Sequence, residues 1–322
     1  MKHRLARVCL PLILAGAVAP PHAWPQNTVR GRTVSSVASL DSARGNFKVD
    51  STLVLVNVAV TDSRGRFVTG LSRQDFQVFE EKTAQTVAYF SAEEAPVSVG
   101  LVLDFSSSMA PRFGQLQQAV AEFLKSANPQ DEFCLIEFRD RAELSMGFTS
   151  AAEEIQNRVA STKPRGNTAL LDAVYLGLRQ MRKARNPRKI LLIVSDGGDN
   201  HSRYRAREVE NLARESDVEI YAIGIGRSAG RAVYDLWDGP ALLSELTEEA
   251  GGRCYEIDNS RDLPAVAEKI GRELRHQYVL GYVPQNRQRD GRYRHIQVKI
   301  ARAPGQPRLS AYWRRGYYAP AD

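Results

Sequence analysis

The chain has 322 residues, of which 43% are apolar and 25% are charged. This composition is ordinary for a globular protein of about two domains, and it excludes a wholly disordered chain, a collagen-like rod and a coiled coil. Lys and Arg number 44 against 37 Asp and Glu, a formal net charge of +7 that admits nucleic acid, anionic surfaces or acidic proteins as partners without choosing among them.

Residues 1–23 have the pattern of a secretory signal peptide. Lys2, Arg4 and Arg7 precede the apolar run Val8–Ala19, and small residues follow it. The run is too short for a permanent bilayer anchor, and no later segment reaches about 18 uninterrupted apolar residues. We therefore expect export to the periplasm or beyond, with no transmembrane span in the mature chain.

The remaining sequence divides into a tether, two β flanks and an α/β segment. Residues 24–46, rich in Ser, Thr, Arg and Gly, are predicted to form a flexible tether. Residues 47–95 and 277–319 show short strands, whereas residues 96–276 alternate buried strands with amphipathic helices. Each flank has only about 45 residues, too few for a good core of its own. We therefore predict that the flanks form one small β-sandwich into which the α/β domain is inserted.

The α/β segment predicts a doubly wound, mostly parallel six-stranded sheet with helices on both faces. Its first strand in spatial order is expected to run antiparallel. Cys134 and Cys254 then lie on strands separated by three others, beyond disulfide reach, and are predicted to be free thiols. The predicted spatial order of strands is Ala142–Phe148, Phe133–Phe138, Val97–Leu103, Ile190–Val194, Val218–Ile225 and Cys254–Ile257.

Five oxygen-bearing side chains fall on three loops at one predicted edge of this sheet. The loop after the buried strand Val97–Leu103 has the pattern Asp-x-Ser-x-Ser, whose alternate residues project to one side. A Thr stands at the head of the helix predicted over residues 168–184, and an Asp follows the strand Ile190–Val194. In an open α/β sheet, binding sites form at this carboxyl edge. The five residues are Asp104, Ser106, Ser108, Thr168 and Asp196.

These residue types suit a hard divalent cation. Mg²⁺ prefers oxygen ligands in an octahedron; two carboxylates roughly neutralise its charge, and hydroxyls add ligands without charge. We expect Mg²⁺ first, with Mn²⁺ or Ca²⁺ as alternatives. Taken singly, each element has a structural alternative, with Asp104, Ser106 and Thr168 as helix caps and Asp196 as a turn former. The occurrence of all three loops in this order favours the cation site.

The five residues resemble the metal-ion-dependent adhesion site of the von Willebrand factor type A domain, and every position of that motif matches. The resemblance covers roughly residues 96–276. It implies that an acidic side chain of a protein partner completes the coordination shell of the metal. The flanks resemble a bacterial group of secreted proteins, the VWFA-related domain proteins. The segments that carry this second resemblance are Val60–Gly65, Asp75–Glu80, Tyr278–Val283 and Arg315–Tyr318.

The functional hypothesis is an extracytoplasmic, metal-dependent protein-binding module, used in adhesion or ligand recognition, that is not an enzyme. A structural or assembly subunit of an envelope or secreted complex is the alternative. The sequence has no P-loop, zinc-ligand spacing, dinucleotide-loop spacing or Ser-His-Asp arrangement, which argues against catalysis. Nucleic acid is disfavoured because no basic stripe with interleaved aromatics occurs.

Basic and aromatic residues are predicted to border the metal edge. One interpretation is a positive rim that attracts an acidic partner, and the other is an Arg-rich composition with solvated loops. Arg231, Tyr234 and Trp237 are predicted to form one side of the partner site, with packing of the two aromatics on the last strand and helix as the alternative. The six rim residues are Arg112, Arg165, Arg203, Arg205, Arg227 and Arg231.

Overall fold

The computed structural model describes residues 53–196, 198–226, 239–301 and 308–321. The predicted signal peptide and tether lie outside the described residues. So do Arg231, Tyr234 and Trp237 of the predicted partner site, and the predicted rim residue Arg227.

The described residues form strands and α-helices that we number in chain order. The strands are β1 Val54–Asp62, β2 Phe76–Glu80, β3 Thr83–Gln85, β4 Val87–Ser91, β5 Val97–Asp104, β6 Glu132–Phe138, β7 Ala142–Thr149, β8 Arg188–Ser195, β9 Glu219–Ile225, β10 Cys254–Ile257, β11 Gln277–Tyr282, β12 Tyr293–Ile300, β13 Leu309–Tyr312 and β14 Gly316–Tyr318. The α-helices are α1 Phe113–Leu124, α2 Ala152–Ser161, α3 Leu170–Gln180, α4 Ala206–Glu215, α5 Gly239–Ala250 and α6 Leu263–Glu273. Within the described ranges, no helix has the length and apolar character needed to cross a bilayer.

Six strands form a mostly parallel sheet in the order β10-β9-β8-β5-β6-β7, with β7 antiparallel to β6. This confirms the predicted fold class and strand order. β5, β6 and β9 are buried at every residue, because α1, α2 and α6 cover one face of the sheet and α3, α4 and α5 cover the other. Cys134 is buried, Cys254 is half-buried, and both are free thiols, as predicted.

The flank strands form two antiparallel four-stranded sheets, in the orders β13-β1-β11-β4 and β14-β12-β2-β3. Each sheet combines strands that precede the α/β segment with strands that follow it. The alternating residues of β1 share one apolar core with β11 and β12, which confirms that the α/β domain is inserted into a sandwich built by both flanks. The core residues of these three strands are Val54, Val56, Val58, Val60, Tyr278, Leu280, Tyr282, Ile296 and Val298.

Glu80, the last residue of β2, joins the two flanks inside the sandwich. Its carboxylate is buried and accepts hydrogen bonds from Tyr282 Oη at 2.8 Å and Tyr317 Oη at 2.9 Å. Arg294 of β12, also buried, lies 3.5 Å from the same carboxylate and donates to backbone carbonyls of the loop before β12. The buried carboxylate is therefore bound by groups that lie more than 200 residues away in sequence, and Arg294 supplies the opposite charge.

A second polar network holds the α/β domain on the sandwich at the amino edge of the parallel sheet. Glu219, the first residue of β9, accepts hydrogen bonds from Asn57 of β1 at 2.6 Å and from Gln277 of β11 at 2.8 Å. Arg188, the first residue of β8, donates to Gln277 and to the carbonyl of Leu274. We call Asn57, Arg188, Glu219 and Gln277 the junction network. It lies at the opposite ends of these strands from the predicted metal residues.

Replacement of Arg294 by Ala is expected to destabilise the protein by about 3–5 kcal/mol, because it leaves the carboxylate of Glu80 buried without its cation. Urea denaturation measures this change in the free energy of unfolding. The control is Arg292→Ala, which removes an exposed Arg two residues away. Equal unfolding free energies for the two variants would contradict a neutralising role for Arg294.

The domain boundaries predict how fragments behave. A fragment of residues 96–276 should fold alone, because the two apolar clusters that cover its sheet lie within residues 97–274. A fragment of residues 47–95 should not, because β1 and β2 take their central partners from β11 and β12. Well-dispersed amide resonances in an NMR spectrum of the second fragment would refute the shared sandwich.

Candidate metal site

The predicted metal residues begin where two neighbouring strands end. β5 and β8 pair in parallel, with Leu103 opposite Val194. Asp104 closes β5, and Asp196 follows the last residue of β8, so both carboxylates leave the sheet at the same edge. The register of one strand pair therefore brings together residues that are 92 positions apart.

Hydroxyl and carboxylate oxygens lie in mutual contact at this edge. Ser106 Oγ is 2.9 Å from Ser108 Oγ, which donates a hydrogen bond to Asp196 Oδ1 at 3.0 Å. Neighbouring ligands of an octahedral ion with Mg–O distances of about 2.1 Å lie about 3.0 Å apart, so these separations suit adjacent ligands of one ion. Within the described ranges, no three His, Cys, Asp or Glu side chains cluster as metal ligands; the candidate site combines two carboxylates with hydroxyls.

Thr168 lies on the adjoining loop. Two backbone hydrogen bonds join that loop to the Asp-x-Ser-x-Ser loop: the Ser107 N–H donates to the Gly166 carbonyl at 3.0 Å, and the Arg165 N–H donates to the Phe105 carbonyl at 2.8 Å. The side chain of Thr168 is buried. The structure thus places all five predicted ligands on loops that contact each other at the carboxyl edge.

The helix after Thr168 begins at Leu170, two residues later than predicted. Thr168 is held by the loop after β8 instead: its N–H donates to Asn200 Oδ1 at 3.0 Å, and its carbonyl accepts the N–H groups of Asn200 and His201. These tertiary hydrogen bonds take the backbone groups that would otherwise start the helix. The sequence pattern indicates local helix propensity, but it does not show that the loop after β8 binds the backbone of Thr168.

Asp104 is fully buried, and its carboxylate is oriented by two donors. The Ser106 N–H donates to Oδ1 at 2.8 Å, and Ser195 Oγ donates to Oδ2 at 2.7 Å. Burial is the largest cause that raises the pKa of Asp104, the charge of Asp196 adds to the rise, and hydrogen bonds from Ser106 and Ser195 oppose it; together they bring the pKa to about 6. A cation between the two carboxylates would favour their ionised forms. Sequence reasoning missed Ser195, although its place at the end of a buried apolar strand was a signal.

The predicted rim divides into an internal residue and exposed ones. Arg112 Nη1 lies 3.4 Å from Asp196 Oδ2 and 3.3 Å from the Ser108 carbonyl, so this Arg belongs to the site itself. Arg165, Arg203 and Arg205 are exposed at the same edge. The carboxyl edge thus presents acidic and hydroxyl oxygens at its centre and exposed positive charge around them.

Comparison with known proteins agrees with this arrangement. Residues 99–198 match the family described as the von Willebrand factor type A domain. The chain is 26% identical over 196 residues to inter alpha-trypsin inhibitor heavy chain 4 of Mus musculus, over 54% of this chain and 20% of the mouse protein. It is 23% identical over 234 residues to integrin alpha-1 of Gallus gallus, over 66% of this chain and 78% of the chicken protein.

The same fold occurs in a solved von Willebrand factor type A structure from Catenulispora acidiphila, with a TM-score of 0.51 at 13% identity. That likeness covers 85% of this chain and 75% of the other. The strand order of the parallel sheet, the matched segment and the residues at its carboxyl edge lead to one conclusion: this chain contains a von Willebrand factor type A domain.

Proposed function

We propose that this chain is an extracytoplasmic module that binds another protein through a divalent cation, and that it is not an enzyme. The observation that supports this most directly is the convergence of oxygen ligands at the carboxyl edge of the sheet. Mg²⁺ is the preferred ion because it favours oxygen ligands, and two carboxylates roughly neutralise its charge, with Mn²⁺ or Ca²⁺ as alternatives. The proposed ligands are Asp104, Ser106, Ser108, Thr168 and Asp196.

The residues of the site have separate tasks in this proposal. Asp104 and Asp196 supply negative charge, and the three hydroxyls supply neutral oxygens. Ser195 holds the carboxylate of Asp104 in one orientation, and Arg112 does the same for Asp196. The bound ion would act as a Lewis acid that accepts one carboxylate oxygen from an acidic protein ligand.

Binding without catalysis is supported by what surrounds the ligands. Ser106 and Ser108 hydrogen-bond to each other, and Ser108 donates to Asp196, so among the described residues neither hydroxyl has a ring nitrogen as its hydrogen-bond partner. Export is supported by the signal-peptide pattern of residues 1–23. The remote position of the junction network favours partner binding as well, because the sandwich occupies the opposite edge of the sheet.

Isothermal titration with MgCl₂ tests the ion site. We expect one Mg²⁺ per chain, and Asp104→Asn or Asp196→Asn should weaken binding by about tenfold or more, because each removes one of two negative ligands. The matched control is Asp258→Asn, which neutralises an exposed carboxylate at the end of β10 on the same edge and should bind Mg²⁺ as the unmodified protein does.

Equal Mg²⁺ affinities in all three variants would refute the assignment of the ligands. Chelation of the metal with EDTA tests the alternative function, a structural or assembly subunit. If the chain is a fixed subunit of an assembly, its complex should survive EDTA, whereas metal-dependent recognition should dissociate.

A further inference from the structure

A buried carboxylate next to the metal edge orients an exposed arginine. Asp172 lies in the first turn of α3, and its side chain is 5% exposed, whereas that of Arg203 is 85% exposed. Asp172 Oδ2 accepts a hydrogen bond from Arg203 Nε at 3.1 Å, and Oδ1 accepts the N–H groups of Arg203 and Tyr204 at 2.8 and 3.1 Å. The carboxylate thus fixes both the backbone and the guanidinium of Arg203.

This geometry leaves the outer side of the guanidinium for another group. The inner side is held through Nε, and among the described residues the two Nη groups of Arg203 have no hydrogen-bond partner. Paired Nη–H groups match the two oxygens of a carboxylate in a bidentate arrangement. Most exposed arginines lose side-chain entropy when they bind an anion, but the bond to Asp172 has already removed part of that freedom.

The loop that carries Arg203 is attached to a proposed metal ligand. The N–H groups of Asn200 and His201 donate to the Thr168 carbonyl, and Asn200 Oδ1 accepts the Thr168 N–H. Asp172 follows Thr168 by four residues, so their Cα atoms lie within about 14 Å of each other. An extended partner segment of about four residues spans a distance of about 14 Å.

An aromatic pair borders the arginine. Tyr204 stacks on Tyr175 of α3, with ring centroids 3.8 Å apart and an interplanar angle of 14°. Both rings are half-buried, and the stack holds Tyr204 against the helix. Arg203 and the stacked pair therefore form a fixed patch, and aromatic and Arg side chains are the types enriched at the anchoring points of protein interfaces.

We propose that Arg203 is a second anion-recognition residue of the partner site, and that the partner is an acidic protein segment with two carboxylates, one bound to the metal and the other to the Nη groups of Arg203. The inference rests on the proposed function, since it requires a partner at the metal edge. Charge complementarity supports an acidic protein segment as the partner, because the edge combines one proposed cation with the exposed Arg165, Arg203 and Arg205.

The test uses the full chain and a fluorescein-labelled decaglutamate peptide, with fluorescence anisotropy recorded in excess MgCl₂. Arg203→Gln should weaken peptide binding by about tenfold, because it removes a bidentate, charge-assisted pair. Arg207→Gln is the matched control; it removes an exposed Arg in the first turn of α4, four residues further along the chain, and it should change the affinity by less than about twofold.

Arg203→Lys separates orientation from charge. Lysine keeps the charge but loses the bond to Asp172 and the bidentate geometry, so this variant should remain weaker than the unmodified protein by about threefold or more. Full affinity in Arg203→Lys would overturn the role of the oriented guanidinium. Thermal unfolding of each variant checks the fold, which should persist because the backbone N–H groups of residues 203 and 204 still donate to Asp172.

The Mg²⁺ titration separates this inference from the proposed function. Arg203→Gln should bind Mg²⁺ as the unmodified protein does, since Arg203 is not among the proposed ligands. If Mg²⁺ binds and the Gln variants at positions 203 and 207 bind decaglutamate equally well, the inference is wrong and the proposed function stands. If neither the unmodified protein nor the Arg203→Gln variant binds Mg²⁺, the proposed function is wrong.

Inorganic tripolyphosphate tests the class of partner. Arg203-dependent binding of tripolyphosphate, without binding of decaglutamate by the Mg²⁺-loaded protein, would assign the patch to phosphoryl groups and overturn the acidic-segment proposal. Competition by decaglutamate that depends on both Mg²⁺ and Arg203 supports it.

Discussion

The parallel pairing of β5 with β8 is the constraint on which the site depends. These are the central strands of the six-stranded sheet, buried between two layers of helices, and their register fixes where Asp104 and Asp196 leave it. A shift of one residue would reverse the face to which every side chain of a strand points, at a prohibitive cost in buried apolar surface. The alignment of two carboxylates is thus enforced by the packing of Val, Leu and Ile side chains below them.

Polar groups at the two opposite edges of this sheet have different roles. At the amino edge, Glu219 and Gln277 are fully engaged with each other and with the sandwich. At the carboxyl edge, Asp104 and Asp196 are bound by hydroxyls, one backbone amide and Arg112, groups that fix the orientation of each carboxylate. Buried charge serves attachment at one edge, and in the proposed function it serves recognition at the other.

The sequence predicted those features that local patterns encode. Continuous apolar runs identified the strands of the parallel sheet, and their polar ends identified the proposed ligands. It did not predict the pair of Glu80 and Arg294, the bond from Ser195 to Asp104, or the orientation of Arg203 by Asp172. Each of these joins residues between 31 and 214 positions apart through side-chain geometry that appears only once the chain has folded. The start of α3 two residues later than predicted also depends on hydrogen bonds to a loop that is distant in sequence.

The discontinuity of the sandwich has a consequence for the order in which the molecule assembles. β1 and β2 emerge first during synthesis or export, but their central partners, β11 and β12, follow about two hundred residues later. Closing so long a loop is entropically costly. If the inserted domain condenses first, Val97 and Leu274 come close, since Asp131 receives the Val97 N–H and also pairs with Arg275. The folded insert then acts as a short rigid loop, so the last step of folding is the pairing of β1 with β11 and of β2 with β12. Chaperone binding or proteolysis should target the first flank until that step is complete.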